Sequence, residues 1–272
     1  MAIRRHSTHP LCKPLRWLTI ALVALSPVAC TETTHGVASH DVLFQDIHYR
    51  VVTLDLAKAD LSLHWRDPAT DQPYASIHGL QQWGLTHGQQ LLFAANAGIY
   101  DAAGEPLGLY VEHGKALKPL NTVHGNPAAG NFSLLPNGVF AIDASGSASV
   151  STTEAFAASH AQPRLATQSG PMLVIDGAIN PHFDATSDSS KWRSGVCARK
   201  PDEVVFAVST APVNFHTFAS LFRDKLHCRN ALYLDGTLSQ IYVGGDYYGA
   251  PAFMVKPYAG IFAVFVPASP AH

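Results

Sequence analysis

The stretch Asn230-Ala231-Leu232-Tyr233-Leu234-Asp235-Gly236-Thr237-Leu238-Ser239 decides how this chain folds. A short apolar run without polar alternation reads as a strand buried on both faces, and an Asp-Gly pair directly after it reads as the turn that ends the strand. Asp235 then stands at the rim of a core sheet, where a rigid scaffold holds a carboxylate open to a ligand. The competing reading is a turn residue whose side chain caps its own backbone, as Asp before Gly commonly does.

Working outward, Phe215, Phe218, Leu221, Phe222 and Leu226 recur with helical period behind the N-cap candidate Asn214, which predicts a helix over 214–226 packed on the sheet. A second amphipathic helix is predicted over 76–87, from Ile77, Leu80, Trp83 and His87 with Ser76 as its cap. Buried strands are expected over 90–95, 203–209 and 260–266. The runs 49–56 and 61–65 read as a hairpin joined by 57–60. His113-Gly114, Asn137-Gly138 and Asp176-Gly177 each separate two apolar runs, the strongest short-range hairpin signal. Further short strands are expected over 109–111, 116–120, 132–135, 139–142, 172–175 and 195–199, and the Ala/Ser/Thr-rich 144–160 reads as an exposed strand and helix. Strand-rich halves with isolated helices and no βαβ alternation predict an α+β domain with a mixed, mostly antiparallel sheet and two or three packed helices.

The first thirty residues stand apart. Arg4, Arg5, Lys13 and Arg16 lead into an apolar run over 15–25, followed by Ala29-Cys30, the layout of an export signal. The run is too short for an ordinary transmembrane helix. Leu25-Ser26-Pro27-Val28-Ala29-Cys30 is similar to a bacterial lipobox, with Pro27 where leucine is usual. The expectation is an exported, envelope or periplasmic protein with a lipid-anchor candidate at Cys30, a tether over 31–44 and one domain over 45–268.

Composition narrows the class. Hydrophobic residues make up 47% of the chain and charged residues 14%, with a formal net charge of −2, which excludes a disordered chain and a nucleic-acid binder. Of four cysteines, Cys12 falls in the signal and Cys30 at the lipid site, leaving Cys197 and Cys228 as a disulfide candidate or as two buried thiols on neighbouring strands. Fifteen histidines show no metal-ligand spacing, so no cofactor is indicated, although a divalent metal stays open. There is neither a nucleophile elbow nor a phosphate-binding loop.

The order of the segments resembles the phosphodiester glycosidase family, the uncovering-enzyme-like domain, and within it the uncharacterised bacterial exported branch. The resemblance covers about 45–268 and rests on four motifs in order. They are Asn96-Ala97-Gly98-Ile99-Tyr100 at a strand end, Ser169-Gly170-Pro171 with Asp176-Gly177, Arg193-Ser194-Gly195-Val196-Cys197, and Leu234-Asp235-Gly236-Thr237-Leu238-Ser239. Ala97, Cys197 and Thr237-Leu238 stand where the family has glycines, which narrows the approach of backbone to ligand.

The resemblance implies hydrolysis of the sugar–phosphate bond in a glycosyl phosphodiester. Arg193 would grip phosphate through its planar fork, or else form a structural ion pair. Asp235 would act at the anomeric carbon, as nucleophile or as the carboxylate assisting water. Asn96 would orient substrate, with Gly98, Gln168, Ser169, Gly170, Gly236 and Ser239 as further binding candidates and Asn180 and His182 as lesser ones. Two rivals share the same pocket: an envelope lipoprotein that binds glycan or phosphate without catalysis, and a metal-dependent phosphodiesterase that cuts at phosphorus.

Overall fold

Residues 231–234 are wholly buried in the strand Ala231–Asp235, and they alternate as a strand must. Leu232 and Leu234 join one hydrophobic cluster, Ala231 and Tyr233 another on the opposite face. The computed structural model describes Met1 and residues 33–123, 132–236, 238–254, 257 and 259–268. The export signal beyond Met1, Cys30 and Thr237 lie outside the described residues.

Ala231–Asp235 lies inside an eight-stranded sheet ordered Thr33–Thr34, Val37–Phe44, Ile47–Asp55, Glu203–Ser209, Ser194–Lys200, Ala231–Asp235, Met172–Ile175, Ala178–Ile179. A five-stranded sheet runs Lys115–Lys118, Tyr110–Glu112, Leu165–Ser169, Gly138–Ile142, Ala148–Thr152. Another runs Asp246–Gly249, Gln240–Val243, Gln89–Asn96, Ile261–Pro267, Leu61–His64. One core joins the three. Phe206 of the first sheet lies 4.9 Å from Phe93 and 5.1 Å from Phe262 of the third, and Phe140 of the second lies 5.5 Å from Phe262. Truncating any of these buried rings to alanine costs about 3–5 kcal/mol.

Two helices cover outer faces. Ile77–Thr86 is capped by Ser76, whose side chain accepts from Gly79 N, and packs Ile77 and Leu80 on the third sheet. Phe215–Ser220 is capped by Asn214, which accepts from Thr217 N at 2.8 Å, and widens into a π turn over Leu221–Lys225. Phe218 and Phe222 lie against the first sheet, where a disulfide joins Cys197 to Cys228. The third helix, Thr153–Ser159, follows Ala148–Thr152 directly, as the strand-and-helix reading of 144–160 anticipates. Among the described residues no helix is long and apolar enough to cross a membrane.

Four expectations are corrected. The tether over 31–44 is instead strand from 33 onward, with gaps only at 35–36: Val37–Phe44 pairs residue for residue with 47–54, burying Val37 and Val42 while Asp41 faces out. The 57–60 connection joins two different sheets, since Ile47–Asp55 and Leu61–His64 do not pair. Asn137-Gly138 is no hairpin turn. Asn137 is buried and donates from Nδ2 to Phe132 O, and the turn comes later, where Asp143 Oδ1 accepts from the N–H groups of Ser145 and Ser147. Every strand pair registered among the described residues is antiparallel, so the sheets are not mixed, and the weight of strand makes α+β a loose description.

Candidate active site

Asp235 ends the central strand opposite Ser194, with Gly236 beginning a tight return. Its Oδ1 accepts from Gly236 N at 2.5 Å, its peptide oxygen accepts from Ser239 Oγ at 2.6 Å, and Ser239 N donates to Gly236 O. The carboxyl is therefore fixed by its own turn. It opens on a cleft of about 730 Å³ walled by Tyr100, Asp101, Lys191, Leu238 and Pro257.

Shielding from bulk water pushes the Asp235 carboxyl up to about 6, against the opposing pull of the Gly236 N–H and then of the Lys191 charge. Burial and the Asp235 charge raise the Tyr100 hydroxyl, which stays protonated through the physiological range. The far wall is a turn in which Asp101 Oδ1 accepts from the N–H groups of Ala103 and Glu105. A carboxylate with a raised pKa, a neutral phenol and an exposed cation in one cleft can together hold an anionic substrate and move a proton.

Asn96 ties the cleft to its scaffold. It ends Gln89–Asn96, is fully buried, and its Oδ1 accepts from both Ser194 Oγ at 3.1 Å and Gln240 N at 3.2 Å. One oxygen thus fastens the first sheet to the third beside Asp235. Its Nδ2 is buried without a partner among the described residues, a state that calls for a water or substrate oxygen.

Several candidates do other work. Arg193 is enclosed, 1% exposed, and does not line the cleft. Its Nε donates to Val213 O at 2.7 Å and Nη2 to Ser189 O at 3.0 Å, with the guanidinium 3.6 Å over the Phe215 ring. This corrects the phosphate grip, and the ion-pair alternative too, since no carboxylate meets Arg193 among the described residues. Gln168 clamps loops: Oε1 accepts from Leu109 N and Asn121 N, and Nε2 donates to Asn121 O and Thr153 Oγ1. With all four places filled, it has none left for substrate.

Ser169 donates to Leu234 O, and Asn180 donates to Met172 O. Gly170 serves packing, because a Cβ there would stand 1.8 Å from Asn137 Oδ1. Gly98 holds a turn at φ +80° that Thr167 crowds from the side. His182 is exposed and outside the cleft. Of the expected set, the structure brings Asp235 and Gly236 to the cleft, with Asn96 and Ser239 directly behind.

Lys191 and Tyr100 were missing from that set. Lys191-Trp192-Arg193 offers two cations, and the sequence does not say which one the fold swallows. The aromatic of the Asn96–Tyr100 motif was a visible signal for Tyr100. Among the described residues no group of three or more His, Cys, Asp or Glu side chains is arranged to hold a metal.

Comparison with known proteins places this geometry. Over 231 residues the chain is 34% identical to uncharacterized protein YigE of Escherichia coli (strain K12), covering 84% of this chain and 87% of that one. The fold is similar to the crystal structure of a hypothetical protein from Synechocystis, with a TM-score of 0.55 at 14% identity over 85% of this chain. This chain spans 62% of that protein's length. Residues 89–265, which contain the Asp235 turn, Asn96 and Lys191, match the phosphodiester glycosidase family, and the chain belongs to that family.

Proposed function

We propose that this protein hydrolyses the bond between a sugar's anomeric carbon and a phosphate oxygen in a glycosyl phosphodiester. The observation that carries the reading is the Asp235 carboxyl, locked by its own turn at the end of a core strand, shielded from bulk water and open to the cleft. Membership of the family supports hydrolase chemistry of this kind.

In the reaction the anomeric C–O bond breaks and its electron pair leaves with the phosphate, which is stable as an anion and needs little protonation. Water supplies the hydroxyl at the anomeric carbon. Asp235, ionised above about pH 6, takes that water's proton or first bonds to the carbon itself. Tyr100 and Leu238 supply the aromatic and apolar wall for a sugar face. The Asn96 amide positions this end of the strand through Ser194.

We further propose that the protein works outside the cytoplasm, with Cys30 as its lipid-anchor candidate. The Cys197–Cys228 disulfide supports an oxidising compartment.

The test is product analysis after incubating the purified chain with an N-acetylglucosamine phosphodiester of a simple alcohol, with and without chelator. Free sugar and an alkyl phosphate, unaffected by chelator, are expected. Sugar phosphate would show cleavage at phosphorus and overturn the reading, as would the absence of any product across a panel of glycosyl phosphodiesters.

A further inference from the structure

We propose that Lys191 forms an anion subsite in the cleft, where it takes the phosphate of the diester and couples that binding to proton uptake by Asp235. The inference rests on the glycosidase reading for its substrate, but the subsite itself stands on geometry. Lys191 is the one cation among the described residues that line the cleft. It forms no ion pair among the described residues, and its side chain is exposed. Its backbone is nevertheless pinned, with Lys191 N donating to Val213 O at 3.1 Å and Val213 N returning to Lys191 O at 2.9 Å.

A cation of this kind, unpaired and rooted in a fixed backbone, facing a cavity that also holds a carboxyl, is built for an anion that arrives from outside. Arg193, two residues on, is unable to serve because it is buried away from the cleft, with Nε, Nη1 and Nη2 donating to Val213 O, the Tyr233 hydroxyl and Ser189 O. The phosphate therefore meets an ammonium, a point charge that tolerates varied diester geometries, in place of a fork that demands one.

Coupling follows from the charges that face Asp235. In the free protein Lys191 favours the ionised carboxyl. An anion bound at Lys191 cancels that help and adds repulsion, so the carboxyl takes up a proton as the anion binds. The other groups on the cleft do not compensate. Tyr100 is neutral, and Asp101 has Oδ1 engaged with its own turn and carries no positive charge. The carboxyl gives that proton up again before it serves the incoming water, so the limb seen in kcat lies at higher pH than the limb seen in kcat/KM.

The probe is diethyl phosphate, a monoanion that does not titrate near Asp235 and has no glycosidic bond to break. Calorimetric titration of the full chain near pH 6.5, in two buffers of different ionisation heat, reads affinity and proton uptake together. The wild-type chain is expected to bind with net proton uptake. Lys191→Met, a surface change that leaves the fold intact, is expected to weaken binding about tenfold or more. Asp235→Asn should bind at least as well as wild type with the uptake abolished. Unchanged affinity in Lys191→Met, or no binding to the wild-type chain, overturns the subsite. Binding without proton uptake overturns the coupling. Because no turnover is involved, a chain that passes this test yet cleaves no diester sinks the glycosidase reading alone.

Discussion

Asp235 and Glu112 are both carboxyls that burial holds above their ordinary range, Asp235 to about 6 and Glu112 to about 7. Asp235 faces a cleft with the exposed Lys191 on its wall. Glu112 lies on the strand Tyr110–Glu112 against Tyr110 and the Trp65 backbone, with Oε1 buried, and lines no part of the cleft. The cations divide in the same way: Lys191 reaches the cleft and Arg193 is walled in. Shielding alone shifts a proton equilibrium, and only an opening onto substrate space turns the shift into chemistry.

The sharpest way to break this contrast is Asp235→Asn. Turnover is expected to fall about 10³-fold or more with KM little changed, as steady-state kinetics on a cleaved diester would read. Full activity in that variant would remove Asp235 from the reaction. Arg193→Met tests the walled-in cation: Val213 and Ser189 lose a donor to their carbonyls, and stability should drop by about 2–4 kcal/mol in urea unfolding. Its kcat per folded molecule should stay within a few fold of wild type, and a large loss would return Arg193 to the site.

The pH profile sharpens the contrast further. With the carboxylate as the form that acts in the free enzyme, kcat/KM should fall about tenfold per pH unit below about 6, and Glu112→Gln should leave that limb in place. A limb that moves with Glu112 would reverse the roles.

Stability gives the smallest effect. A carboxyl raised in the folded state contributes stability below its unfolded pKa, and that contribution is lost as pH rises through the folded value. For Glu112 the window runs from 4.5 to about 7. Glu112→Gln should therefore be more stable than wild type at pH 8 by about 1–2 kcal/mol and show no gain at pH 4, as thermal melts would read.

Much of this was legible in the chain. Leu232 to Leu234 announced a strand with no polar face, and Ser76 and Asn214 announced helix starts because their side chains satisfy the first free N–H groups. Asp235 was legible as a rim carboxylate for the same local reason. What stayed hidden depends on pairing that local signals do not mark. Val37–Phe44 looks like a polar tether because one face is solvated, and the hairpin that makes it a strand turns at Gln45-Asp46, both at positive φ with no glycine to announce the turn. The fates of Lys191 and Arg193 depend on Val213 and Phe215, about twenty residues away in the chain. Gln168 and Gly170 carry motif positions whose task is packing, and a motif does not separate what touches the ligand from what holds up the wall.

The wall opposite Asp235 has a consequence for how such proteins diversify. Its turn is closed on itself: Asp101 Oδ1 takes the N–H groups of Ala103 and Glu105, Asp101 N donates to Glu105 O, and Gly104 N donates to Asp101 O. None of those bonds reaches the core, and the Glu105 carboxylate, which pairs with Lys118 of the second sheet, lies at the turn's end, so exchanges at 102–104 leave Asp235 and its sheet undisturbed. Natural variation, or a designed library, can redraw the cleft wall through 102–104 while the Asp235 turn is inherited unchanged.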